Sequence, residues 1–128
     1  MRFALFFMLM CGTAQACNED LVRVNDWSIR PVDKENSTIS LEFASKSEKA
    51  IRMIDASAVF EDKLGEIILS FNLDRDVSLK PGLAETTNRR LWPDPKYDRL
   101  SKLAKDDIKA YVCVRGLVYE DGSKETFK

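Results

Sequence analysis

Apolar side chains recur at every second position along most of the chain from Leu21 to Phe127, a period that fits half-buried strands and excludes a helical body. Ile39, Leu41 and Phe43 alternate with Ser40 and Glu42 in the simplest form of the pattern. Leu21, Val22 and Val24, followed by Trp27 and Ile29, predict a first strand with a break. After a polar turn from Ser45 to Lys49, Ile51 and Met53 keep one phase while Ile54, Ala56, Ala58 and Phe60 keep another. A β-bulge near Met53 would reconcile them. Ile67, Leu69, Phe71 and Leu73 then face one way and Ser70 and Asn72 the other, and the connection from Asp62 to Gly65 pairs this strand antiparallel with the one before it.

Turn chemistry separates the later strands. Pro81 and Gly82 signal a type II turn, Pro pre-setting one φ and Gly accepting a positive one, ahead of a polar strand from Ala84 to Leu91. Asp94 before Pro95 is a helix start, an N-cap acceptor preceding a first-turn proline. Tyr97, Leu100, Leu103 and Ala104 continue at helical spacing, which predicts one short helix. From Ile108 the alternation resumes through Ala110, Val112 and Val114, with Tyr111, Cys113 and Leu117 on the opposite face. A strand apolar on both faces should be central. Asp121 and Gly122 turn the chain into a returning strand from Lys124 to Phe127. About seven strands divided by turns, with a single helix, predict an all-β fold: an antiparallel β-sandwich. Tyr111 stands two residues before Cys113, as in a tyrosine corner, and the spacing from Cys17 to Trp27 resembles the cysteine-to-tryptophan spacing of immunoglobulin-like domains. The resemblance implies an immunoglobulin-like order of strands, although such domains have a strand ahead of their first cysteine.

Residues 1–16, MRFALFFMLMCGTAQA, combine one basic residue, an apolar run from Phe3 to Met10 and small residues at Ala14 and Ala16, the pattern of a secretory signal. The run is about half of the roughly 20 residues a spanning helix needs, so no transmembrane segment is expected. Cleavage would leave one domain, residues 17–128, in the periplasm or outside the cell. Losing Arg2 brings its balance to 19 basic against 21 acidic side chains, a net −2. Near-neutrality argues against a coat for nucleic acid or anionic lipid. Cys11 would leave with the signal, and the remaining pair, Cys17 and Cys113, favours a disulfide by parity in an exported chain. The alternative is a lipoprotein acylated on Cys17, for which Gln15 is a poor match and which would leave Cys113 a lone thiol.

The segment from Ala56 to Ile67, ASAVFEDKLGEI, with Pro81 and Gly82 downstream, resembles small bacterial extracytoplasmic β-sandwich domains of the FxLYD type. Those domains carry a hydrophobic strand ending in aromatic-x-Asp, then x-x-Gly, a second strand and a Pro-Gly turn. The match spans Ile39 to Leu83 and departs from the pattern at Glu61, where a tyrosine is usual. It implies fold and an exported setting, and carries no catalytic residues.

Excluded chemistries narrow the function. With no histidine in the chain, imidazole-based triads and histidine zinc sites are ruled out. No serine precedes a lysine by three positions, and no glycine-rich phosphate loop occurs. Asn72, Asp74 and Asp76 open like a calcium loop, yet Val77 and Leu83 occupy the positions that need Gly and Glu. No metal or other cofactor is therefore expected. The Asn36-Ser37-Thr38 sequon matters only in a eukaryotic source.

Binding character concentrates between Asn88 and Lys105. Arg89, Arg90, Lys96, Arg99, Lys102 and Lys105 outnumber Asp94 and Asp98 there, with Trp92 and Tyr97 interleaved. Arg89, Arg90, Trp92, Tyr97 and Arg99 are the candidate contacts to an envelope protein or to an acidic or glycan ligand. The plainer alternative has the aromatics plugging one end of the sandwich and the charges solvating a short helix. The expected function is an exported, non-catalytic binding or accessory module of the bacterial envelope. A small hydrolase or inhibitor built on carboxylates is the alternative, and would require two acids converging in a pocket with at least one raised pKa.

Overall fold

The computed structural model describes residues 17–34 and 36–127. The segment expected to be an export signal, residues 1–16, lies outside the described residues. Seven strands and one helix follow in the order β1 (Val22–Pro31), β2 (Ser37–Ser45), β3 (Ile51–Asp62), β4 (Ile67–Asn72), β5 (Ala84–Leu91), α1 (Pro95–Lys102), β6 (Ile108–Tyr119) and β7 (Lys124–Thr126). They form two antiparallel sheets, β1-β2-β5 and β4-β3-β6-β7, so the chain changes sheet after β2, β4 and β5. This is the all-β antiparallel sandwich that the alternation implies.

Side chains from both inner faces meet in one core. Ile39, Leu41 and Phe43 of β2 face Ile54, Ala56, Ala58 and Phe60 of β3 and Val112 and Val114 of β6. Trp27 packs edge-on against Phe60, ring centroids 5.3 Å apart, and Phe60 stacks on Phe71 at 6.3 Å. Trp27 is thus a core residue.

Four bulges set which residues reach that core. On β1, Asn25 is the extra residue between the pairs Val24–Phe43 and Asp26–Glu42, which is the break expected ahead of Trp27. On β3, Arg52 is the extra residue between the pairs Ile51–Tyr119 and Met53–Val118, which confirms a bulge beside Met53 but turns Met53 outward. On β4, Ile68 is extra between the pairs Phe60–Leu69 and Glu61–Ile67. Ile68 is buried and Ile67 is exposed, contrary to the inward position expected for Ile67. On β6, Arg115 is extra between Asp55–Gly116 and Ala56–Val114. It reverses the phase, so Leu117 points inward with Val112 and Val114 instead of sharing the face of Tyr111 and Cys113.

The turns follow their residue chemistry. Gly82 has φ +73° and the Leu83 N–H donates to the Lys80 carbonyl, closing the Pro81-Gly82 turn. Asp94 caps α1 by accepting from the Lys96 N–H at 2.9 Å. Leu100 and half-buried Tyr97 on α1 close the end of the core.

Cys17 and Cys113 are disulfide-bonded, with Cα atoms 5.3 Å apart. Cys113 lies between inward-facing Val112 and Val114, so the bridge sits on the outer face of the four-stranded sheet and not between the sheets. Beside it Asn18 and Val114 exchange two backbone hydrogen bonds of 2.7 and 2.9 Å. The leading segment therefore pairs with the part of β6 that three-residue β7 does not reach. Tyr111 also departs from a tyrosine corner: its hydroxyl donates to Glu61 Oε2 at 3.2 Å rather than to upstream backbone.

Candidate functional site

The strand β5 and its connection to α1 carry the basic and aromatic residues, but alternation sends them in different directions. Arg89 pairs with Ile39 and so lies on the inner side of its sheet. Its Nη2 donates to the Asn72 carbonyl at 2.8 Å, and its guanidinium covers the Phe71 ring at 5.1 Å. It closes the open side of the sandwich between β5 and β4. Arg90 pairs with Thr38 on the outer side, stands 3.8 Å from Asp33 Oδ2 and lies over Trp92 at 6.0 Å. Arg99 reaches Asp62 at 3.2 Å, at the turn between β3 and β4. Tyr97 packs on the core. Only Arg90 and Trp92 come together, so the chain has no single cationic face built from this segment.

Trp92 is 71% exposed, although a tryptophan at the end of a sandwich strand ordinarily joins the core. Leu91 takes the inward position instead, and the prolines at 93 and 95 carry the chain away before Trp92 can fold back. A cleft of about 470 Å³ opens between the β1–β2 turn and the start of α1, lined by Pro31, Asp33, Asn36, Asp94, Asp98 and Ser101 among others; Pro93 lines it, while Trp92 itself does not. The Asn36 amide nitrogen donates to both Asp33 oxygens at 3.1 Å, so the sequon side chain is held inside the turn.

A second polar cluster lies on the outer face of the other sheet. The Arg115 guanidinium donates to Asp55 Oδ1 at 2.9 Å and to Ser57 Oγ at 2.8 Å, with a longer contact to Asn72 Oδ1 at 3.3 Å. Ser57 Oγ in turn donates to Asn72 Oδ1 at 2.7 Å. Asn72 is thereby tied into this network. Beside it Lys109 stands 3.6 Å from Glu19 and 3.9 Å from Glu61, and lies over the Tyr111 ring at 4.7 Å. The sequence signal for this cluster is Arg115, a charge inside the otherwise apolar run from Ala110 to Tyr119 and followed at once by Gly116.

The carboxyls that shift all shift downward. A hydrogen bond from Arg115 holds Asp55 below the ordinary carboxylate value, Lys105 does the same for Asp26, and the Glu66 backbone N–H for Asp62. Asp121 is lowered by Ser123. The Tyr111 phenol is pushed up to about 12, first by burial and then by the Glu61 charge. Among the described residues no helix is long and apolar enough to cross a membrane.

No family model matches this chain, and no curated protein matches it. Among solved structures it is similar to one described as "X-ray structure of Northeast Structural Genomics Consortium target SoR45", at 12% identity and a TM-score of 0.42, over 86% of this chain and 84% of that chain.

Proposed function

We propose that the protein is an exported, non-catalytic binding module of the bacterial envelope that recognises a glycan at the end of the sandwich displaying Trp92. The observation that carries this reading is the 71% exposure of Trp92, one residue before Pro93, which lines a cleft of about 470 Å³. An exposed indole offers a flat apolar face on which the C–H face of a sugar ring can rest, while short polar groups nearby fix its hydroxyls. Asp94, Asp98, Asn36 and Ser101 supply such groups along the cleft.

Charge separates a glycan from an acidic partner. The cleft holds Asp33, Asp94 and Asp98 against Lys34, and Arg90 is already beside Asp33. A polyanion would meet carboxylates there. The alternative of a carboxylate hydrolase draws no support from acids whose pKa values fall, since a general acid needs a raised one. Export draws support from the disulfide, which persists in oxidising compartments and leaves Cys17 without a thiol to acylate.

Titration with neutral envelope-derived oligosaccharides, followed by isothermal calorimetry, tests the reading. Binding by the native chain and its loss in Trp92→Ala, at unchanged thermal stability, is the expected result. Equal binding by the variant, or none by the native chain, overturns it. Mass spectrometry of the mature N-terminus tests the setting, an acyl mass on Cys17 excluding the disulfide-bonded form.

A further inference from the structure

We infer that β5 is a self-complementary edge through which two copies of this chain join antiparallel into one continuous six-stranded sheet. Four strands end the two sheets, and three are blunted in the ways that protect edges from pairing. β1 is broken by a bulge between Val24 and Asp26 and ends at Pro31, β4 is bulged at Ile68, and β7 has three residues. β5 alone runs in unbroken register, from Ala84 to Leu91, and no described residue pairs with its outer side.

Symmetry restricts how two such edges can meet. A two-fold relating neighbouring antiparallel strands of one sheet stands perpendicular to the sheet, so paired residues share a face and differ by an even number of positions. With the axis at Thr87, Glu85 of each copy lies opposite Arg89 of the other. Both belong to the inner face, since they pair with buried Phe43 and Ile39 within the subunit. Thr86 then meets Asn88, and Ala84 meets Arg90. Moving the axis to Asn88 sets Glu85 against Leu91, and moving it to Arg89 sets two arginines face to face. Only the Thr87 register gives two opposite-charge pairs, each a favourable cross-strand contact. Glu85 is exposed and has no ion-pair partner among the described residues of its own subunit.

The joined sheet would turn both Trp92 side chains to one side. Trp92 stands five positions from the axis, so the two would be separated by about 34 Å along the strand direction at ~3.4 Å per residue.

Sedimentation equilibrium of the full mature chain tests the inference, the expected result being a reversible monomer–dimer equilibrium. E85R and R89E should each weaken self-association at least tenfold by placing like charges opposite. Mixed in equal amounts they should form a heterodimer, because that pairing restores both opposite-charge contacts. Thr87→Cys provides a readout independent of Arg89: oxidation should link two chains at the axis, while Glu85→Cys, about 14 Å from its symmetry mate at ~3.4 Å per residue, should not link. A chain that stays monomeric at millimolar concentration, or variants whose mixture does not associate, would overturn the inference. Mass alone is read, so either result leaves the glycan reading untouched.

Discussion

Cys17 and Cys113 are 96 positions apart in sequence, and their Cα atoms lie 5.3 Å apart on the outer face of the four-stranded sheet. The bond therefore fastens a leading segment to the side of β6, with Asn18 and Val114 paired next to it, and leaves the apolar core between the sheets uninvolved.

Reduction should accordingly lower stability without abolishing the fold. Loop-entropy reasoning places the loss at up to ~4.7 kcal/mol for a closed loop of about 100 residues. Hydrogen exchange gives the specific check. The Asn18 and Val114 amides should lose protection on reduction, while the Ile54 amide, bonded to the Arg75 carbonyl on the far side of β3, keeps its own. Unchanged protection at Asn18 would mean that the segment is held without the bond.

Arg115→Met should destabilise the chain by about 1 kcal/mol, the low end for unpaired polar groups because water still reaches Asp55. The change should also alter acid sensitivity. Asp55 is held below 3.8 by Arg115, so its contribution is present above that value and is lost as pH falls through the lowered folded-state pKa. Without the guanidinium, the native chain's acid limb should flatten. Urea midpoints measured at neutral pH and below 3.8 should therefore differ less in the variant than in the native chain.

How much of this was legible in the sequence depended on whether a feature is local. The polar strand Ala84–Leu91 and the central strand Ile108–Tyr119 are visible because alternation and turn residues encode them directly, as Asp94 and Pro95 encode the start of α1. Cysteine parity exposed the disulfide but not its side of the sheet, since that depends on Val112 and Val114 taking the inward positions. The bulges at Ile68 and Arg115 were hidden, because an extra residue is defined only against the partner strand. For the same reason Arg89 and Arg99 read as a common basic surface. Their partners, the Asn72 carbonyl and Asp62, lie 17 and 37 positions away. The exposure of Trp92 ran against the usual behaviour of the residue type, and it rules out the plainer alternative in which Trp92 plugs the end of the sandwich.

Although burial raises Tyr119 as well, Tyr111 should be the phenol that resists alkali most. Burial and the neighbouring Glu61 charge push it up to about 12 from 10.0, so its contribution to stability is complete below 10.0 and is lost as pH rises through the folded-state value. Phenolate absorbance should show a late component in the native chain that is missing in Tyr111→Phe. Replacing Glu61 with Gln should move that component to lower pH while leaving it visible, because burial remains.

Phe60→Ala should be the most damaging single substitution in the core, costing about 3–5 kcal/mol. Phe60 is fully buried and touches one aromatic ring from each sheet, Trp27 of β1 at 5.3 Å and Phe71 of β4 at 6.3 Å, so its loss opens a cavity at the seam that joins the layers. Leu64→Ala in the β3–β4 turn also truncates a large apolar side chain, though by half as many carbons, at a site that is 96% exposed, and should change stability by less than about 0.5 kcal/mol. In a Trp92→Phe background the emission of Trp27 reports on the seam alone. It should shift to the red in Phe60→Ala and stay fixed in Leu64→Ala. Equal costs for the two would mean that stability does not reside in contacts between the sheets.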